Sequence, residues 1–135
     1  MTMLVDTSVW SLGLRRDAPP DVPELSALRR ALEADELIVT TGLILQELLQ
    51  GFQGPRAARE IIAPFSALPL LAADRRDHID AAELRNKCRR HGVQLGTIDA
   101  LIAQLCIRHE IELLTMDRDF QYAAEHCELR LWRRR

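Results

Sequence analysis

Four acidic residues of the sequence stand beside short apolar segments: Asp6, Glu47, Asp99 and Asp117. Asp6 ends the apolar segment 3–6, and Asp117 follows the segment 112–115 by two residues. Both segments have the length and composition of buried strands. In an open parallel sheet the functional crevice lies beyond the carboxyl ends of the strands. We therefore expect these two carboxylates to lie at the same edge of a sheet.

The other two acids are expected to reach this edge from helices. Asp99 lies in the first turn of a helix that begins near Gly96 and Thr97. Glu47 lies in the second turn of a helix whose apolar stripe includes its neighbour Leu48. A carboxylate beside such a stripe should be partly removed from water and should need a partner.

Carboxylates that lie close together raise one another's pKa, and a bound divalent cation removes that conflict. Asp6, Glu47 and Asp99 have no neighbouring Lys or Arg in the sequence, whereas Arg118 follows Asp117. The four histidines are never three or four residues apart, so histidine ligands are not expected. Hard oxygen ligands select magnesium or manganese over zinc or copper. The predicted cofactor is therefore Mg²⁺, with Mn²⁺ as a substitute.

Each acid also has an ordinary structural explanation. Asp6 could cap the helix that follows it, and Asp99 could be a first-turn acid stabilised by the helix dipole. Asp117 could belong to a polar turn, and Glu47 could lie on the surface. None of the four is convincing alone, and the prediction depends on their shared position around one edge.

The composition restricts the class of protein. A chain of 135 residues with 47% hydrophobic and 28% charged residues is expected to form one globular domain. A net charge of −2 excludes a generic basic nucleic-acid coat. Three widely spaced cysteines predict free thiols in a reducing compartment, and no apolar run reaches the length of a membrane span. We expect a cytoplasmic protein with no membrane segment.

Short apolar segments alternate with amphipathic segments along the chain. Strands are predicted at 3–6, 37–40, 68–71, 112–115 and 129–132. Helices are predicted at 7–14, 23–34, 43–52, 56–65, 74–90, from 97 onward, and at 119–126. This alternation is typical of an α/β domain with a mainly parallel sheet. The domain should span residues 1–132, and 133–135 should form a basic tail.

Two details of these helices depend on single residues. The helix 74–90 is expected to bury a weak apolar face that contains Ile79, Ala82 and Leu84. The last helix is expected to begin at Asp119, because this acid stands directly before an apolar residue in the manner of an N-cap.

Four segments of the chain resemble the motifs of the PIN-domain toxins called VapC. They are 4–10 (LVDTSVW), 45–51 (LQELLQG), 97–103 (TIDALIA) and 113–120 (LLTMDRDF). Each segment contains one of the four acids, and the order and spacing hold over nearly the whole chain. One such motif alone is weak evidence, whereas four in order are specific.

The resemblance implies a PIN-like three-layer fold, in which helices flank a mainly parallel sheet of about five strands. It also implies a magnesium-dependent endoribonuclease. By this similarity the four acids are catalytic, and Asp6, Asp99 and Asp117 bind the metal. Asp119 also falls in the closing motif and is the alternative to Asp117. An accessory hydroxyl is expected from Thr7 or Thr115.

The expected reaction is hydrolysis of RNA by a water that the metal activates. Glu47 or Asp99 would take the proton, and the resemblance implies products with 5′-phosphate and 3′-hydroxyl ends. The resemblance also implies a homodimer that binds a cognate antitoxin protein. The groove for an antitoxin peptide would lie near Trp10 and the helix 43–52, although Trp10 could instead be a core residue.

Two other classes of function compete with this interpretation. A phosphotransfer domain of the receiver type usually needs a lysine late in the chain, and the only lysine here is Lys87. A haloacid-dehalogenase-type phosphatase needs Asp-x-Asp after the first strand, which Asp6-Thr7-Ser8 does not supply. A non-catalytic interaction module whose acids hold a structural cation stays open.

Overall fold

The computed structural model describes residues 2–15 and 20–133. Within these ranges the strands are β1 Met3–Val5, β2 Ile38–Thr41, β3 Leu70–Leu71 and β4 Glu112–Leu114. The helices in the same ranges are α1 Thr7–Gly13, α2 Pro23–Glu33, α3 Gly42–Gly51, α4 Pro55–Phe65, α5 Arg75–Arg90, α6 Thr97–His109 and α7 Arg118–Ala124. The predicted α/β class is confirmed. Part of the loop before α2, and the tail residues 134–135, lie outside the described residues.

The sheet is parallel throughout, and its strand order is β3-β2-β1-β4. Because connections between parallel strands are right-handed, this order places α1 to α4 on one face and α5 and α6 on the other, which makes three layers. The strand order reverses between β1 and β4. In open α/β sheets, ligands bind at such a switch point, outside the carboxyl ends of the strands. We call the space beyond the carboxyl ends of β1 and β4 the crevice.

The fifth predicted strand is reduced to a single bridge. Leu131 pairs in parallel with Leu113, and the neighbouring backbone hydrogen bonds are both 2.9 Å long. The segment lies at the edge of the sheet, where only β4 is available for pairing. The predicted number of about five strands therefore corresponds to four strands and one bridge.

The core includes an aromatic pair between helices. Trp10 is 6% exposed, and its ring centroid lies 4.8 Å from that of Phe65. Of the two explanations for Trp10, core packing is the one that the structure supports. No helix formed by the described residues is long and apolar enough to cross a membrane.

The inner face of α5 differs in part from the prediction: Leu84 is buried as expected, but the other two predicted residues are not. Ile79 is 44% exposed and Ala82 is also exposed, whereas Asp77 and Ala81 are buried. The inner face contains a carboxylate because Arg108 of α6 neutralises it, with an Nε–Oδ1 distance of 2.7 Å. An apolar periodicity could not predict a buried acid whose partner is 31 residues away.

The start of α3 depends on the hydroxyl of Thr41, the N-cap of this helix. Thr41 Oγ1 accepts a hydrogen bond from Ile44 N at 3.1 Å, and both residues are buried. Thr41→Val should lower the free energy of unfolding by about 1–2 kcal/mol, because it keeps the shape and removes the cap. Thermal unfolding measures this loss.

Thr40→Val is the matched control for this substitution. Thr40 is equally buried on the same strand, but its hydroxyl has no hydrogen-bond partner among the described residues. The control should leave stability unchanged or raise it. Equal losses in the two variants would contradict the capping role of Thr41.

Candidate active site

Asp6 lies at the crevice, directly after β1. Its backbone N–H donates to Leu114 O at 2.9 Å, which joins the carboxyl ends of β1 and β4. Its side chain is buried but forms no capping hydrogen bond with α1. The structure therefore excludes helix capping as the role of this carboxylate.

Two hydroxyl groups bind the Asp6 carboxylate. Ser8 Oγ and Thr115 Oγ1 each donate to Asp6 Oδ2 at 2.8 Å. Each hydroxyl also accepts a backbone N–H at 3.0 Å, from Met116 and Asp117 respectively. These bonds join α1 to the loop that follows β4. Thr115 thus contacts one of the four predicted acids, and its accessory role stays a prediction.

Asp99 is the electrostatic centre of the acids. It is the third residue of α6. The N-cap of this helix is Gly96, which has no side chain that could cap it. Burial raises the pKa of Asp99 to about 6, with further contributions from four carboxylates: Asp6, Asp117, Glu47 and Asp119. Asp6, Asp117, Glu47 and Asp119 are thus near enough to Asp99 to raise its pKa, and their assignment to one catalytic site stays a prediction.

Glu47 reaches the crevice from α3, but it is exposed. The prediction that the apolar stripe of this helix desolvates it is therefore wrong. Adjacent helical residues point about 100° apart, so Leu48 is buried while Glu47 faces the solvent. Thr7 Oγ1 donates to Glu47 Oε1 at the long distance of 3.4 Å. Glu47 therefore lies at the surface, and its role in the site stays a prediction.

The closing motif differs from the prediction in its helix cap. Asp117, not Asp119, is the N-cap of α7, and its Oδ1 accepts from Asp119 N at 2.9 Å. The helix ends at Ala124, two residues before the predicted end. The predicted N-cap at Asp119 is thus wrong, and the choice of Asp117 over Asp119 as the fourth acid stays a prediction. Asp117 nevertheless raises the pKa of Asp99 more than Asp119 does.

The donor chemistry of the crevice fits an oxygen-preferring divalent cation. The four charged groups that raise the pKa of Asp99 are all carboxylates, and no ion pair among the described residues joins them to a basic side chain. However, no three His, Cys, Asp or Glu side chains in the described ranges form a group that could hold a metal alone. Mg²⁺ commonly takes one or two carboxylates and keeps waters and phosphate oxygens as its other ligands. The assignment of Asp6, Asp99 and Asp117 as metal ligands stays a prediction.

Ser8 is the polar residue of the crevice that the sequence patterns did not identify. Its bonding partner Met116 lies 108 residues away along the chain. The only local signal was its place two residues after the acid at the end of β1. That spacing is equally typical of an ordinary helix start.

Comparison with known proteins gives both a family and a fold. Residues 3–126 match the family model of the PIN domain. The structure is similar to VapBC2 from Rickettsia felis bound to a promoter DNA fragment, with a TM-score of 0.75, 20% identity, and 98% of each chain covered. It is also similar to FitAcB from Neisseria gonorrhoeae, with a TM-score of 0.73, 20% identity, and 97% and 96% covered.

A further similar structure is VapC20 from Mycobacterium tuberculosis, a sarcin-ricin loop cleaving toxin. Its TM-score is 0.68 at 21% identity, and 95% of this chain and 98% of that chain are covered. At sequence identities of 20–21%, the similarity to these three structures establishes the fold of the chain.

Proposed function

The chain belongs to the PIN domain family, and we propose that it is a metal-dependent endoribonuclease, the toxin of a type II toxin–antitoxin pair. One observation carries this proposal. Acids from the end of β1, from α3 and from the start of α7 all raise the pKa of Asp99, which α6 carries into the crevice. An excess of negative charge at a strand-end crevice is unfavourable unless a cation offsets it.

The cation in this proposal is Mg²⁺, for which Mn²⁺ can substitute, held by Asp6, Asp99 and Asp117. When bound, it would lower the pKa of a water and offset the charge that develops on the phosphate. No three of the described side chains form a metal-binding group by themselves, so water and phosphate oxygens would have to complete the coordination.

Glu47 is the proposed proton acceptor for the attacking water. Its carboxylate is exposed at the crevice, and its only hydrogen bond from the described residues is the long one from Thr7. An accepting group must reach the water in the substrate complex, and an exposed carboxylate can do so. Asp99 is less available for this task, since it is the central metal ligand in this arrangement.

Cleavage of labelled RNA tests the activity. Purified protein should cut RNA in Mg²⁺ or Mn²⁺, leave it intact after chelation, and regain activity when excess Mg²⁺ is restored. Intact RNA with both metals would contradict the nuclease. If Mg²⁺ then still raised the melting temperature, the acids would belong to a non-catalytic metal-binding module.

The proposed protein partners are a cognate antitoxin and a second copy of the chain. A groove of about 530 Å³ lies beside the ends of α1 and α3 and along α4, with Leu14, Phe52 and Ile61 in its lining. Arg15, Gln53 and Glu60 also line it, and a groove with both apolar and polar walls suits an amphipathic peptide helix. The proposal of a toxin that cleaves RNA is further supported by the fold shared with VapC20, a sarcin-ricin loop cleaving toxin.

A further inference from the structure

The hydroxyl of Ser8 has a fixed direction. Its oxygen accepts the Met116 N–H at 3.0 Å and lies 2.8 Å from Asp6 Oδ2. A hydroxyl has one proton to donate, and an ionised carboxylate can only accept. The Ser8 proton therefore points to Asp6. The backbone N–H of Asp117 orients Thr115 Oγ1 toward the same oxygen in the same way.

These two hydroxyl groups make the oxygens of Asp6 unequal. Oδ2 accepts two hydrogen bonds, which occupy both of its lone pairs. Oδ1 accepts no hydrogen bond from the described residues, and it keeps some exposure to solvent. Of the two oxygens, only Oδ1 therefore keeps free lone pairs.

Ser8 also holds the loop after β4 in place. Its bond to Met116 N connects α1 with the residue between Thr115 and Asp117. The 3.4 Å distance between the Ser8 and Thr115 oxygens leaves them in contact without a proton to share. Ser8 thus orients Asp6 together with Thr115, and it also holds the segment that carries Asp117.

We propose that Ser8 is a positioning residue that occupies Asp6 Oδ2 and thereby presents Oδ1 as the metal-binding oxygen. The inference rests on the proposed function, because it assigns a task toward the same cation. Groups that orient a metal ligand typically change metal affinity by about 10–100-fold when they are removed. Ser8 does not contact the substrate or the cation in this arrangement.

Metal binding by the RNA-free protein tests the proposal directly. Mn²⁺ is titrated into the protein, and unbound Mn²⁺ is followed by its electron paramagnetic resonance signal. Ser8→Ala should weaken Mn²⁺ binding about tenfold. It should also raise the Mg²⁺ concentration for half-maximal RNA cleavage by a similar factor, while saturating Mg²⁺ restores most of the rate. Ser8→Thr keeps the hydroxyl and should restore the affinity.

Ser11→Ala is the matched control, since Ser11 lies on the same helix and its side chain has no hydrogen bond to the described residues. This variant should bind Mn²⁺ like the wild type. If Ser8→Ala does not fold, Ser8→Cys keeps the volume, donates weakly and should show the same direction of change.

The outcomes separate this inference from the proposed function. Wild-type affinity in a folded Ser8→Ala protein, with an unchanged Mg²⁺ requirement, would overturn the role of Ser8 alone. A lower melting temperature without loss of Mn²⁺ affinity would also overturn it, because a purely structural role predicts that result. Wild-type protein that neither binds Mn²⁺ nor cleaves RNA would overturn both.

Discussion

Asp99→Asn should raise the melting temperature of the metal-free protein at pH 8 by several °C and reduce RNA cleavage by more than about a hundredfold. Asp99 is partly buried among four other carboxylates, which all raise its pKa. The amide has the same shape and no charge, so it removes the repulsion. The same change removes a proposed metal ligand.

The gain in stability should depend on pH. The pKa of Asp99 rises from 3.8 to about 6 on folding. Between these values the folded protein binds more protons than the unfolded chain, so the free energy of unfolding falls as the pH rises. The loss is absent below 3.8 and complete above about 6. The difference between Asp99→Asn and wild type should therefore be small near pH 4 and largest above pH 6.

Melting curves of the chelated proteins at several pH values measure this difference. Asp21→Asn is the control, because Asp21 is an exposed acid outside the group that acts on Asp99. The control should change neither the melting temperature nor the cleavage rate. If wild type melted no lower than Asp99→Asn above pH 6, the carboxylates would not repel one another as the structure indicates.

Asp77→Ala should lower the free energy of unfolding by about 3 kcal/mol, which corresponds to roughly 10 °C in melting temperature. Asp77 is fully buried and binds Arg108 with both oxygens, at 2.7 and 2.8 Å. It also forms a capping box with Asp74 at the start of α5. We expect the lower part of the usual range for buried pairs, because the Arg108 side chain is 40% exposed and can regain water.

Asp80→Ala is the matched control for this second substitution. Asp80 lies on the same helix and pairs with Arg76 at 3.0 Å, but the arginine is 69% exposed. An exposed pair contributes less than about 1 kcal/mol. Similar losses in the two variants would show that the burial of Asp77 does not determine its contribution.

The stability that Asp77 provides should be lost in acid. Burial by itself would raise the pKa of Asp77, but the hydrogen bonds from Asp74 and Arg108 and the charge of Arg108 together lower it. A carboxylate with a lowered pKa stabilises the fold above its unfolded value of 3.8. The contribution falls as the pH drops through the folded pKa. Acid unfolding of wild type and Asp77→Ala should therefore converge at low pH.

Local patterns in the sequence were sufficient to predict the α/β architecture. Apolar segments such as 3–5 and 112–114 are short and continuous, because strands of a parallel sheet are covered on both faces. The capping role of Thr41 was also predictable, since its partner is three residues away. The sheet edge at 129–132 was predicted less well, because pairing there depends on a single neighbouring strand.

The candidate site was predicted only in part, because local patterns do not show which distant residues meet. The sequence alone determined which acids follow strands or begin helices, because those positions depend on neighbouring residues. Only the tertiary structure decided that Glu47 is exposed and that Asp117 caps α7. It also decided that Ser8 and Thr115, 107 residues apart, bind the same oxygen of Asp6. These contacts exist because β1 and β4 are adjacent in the sheet, and strand adjacency is not encoded in any local segment.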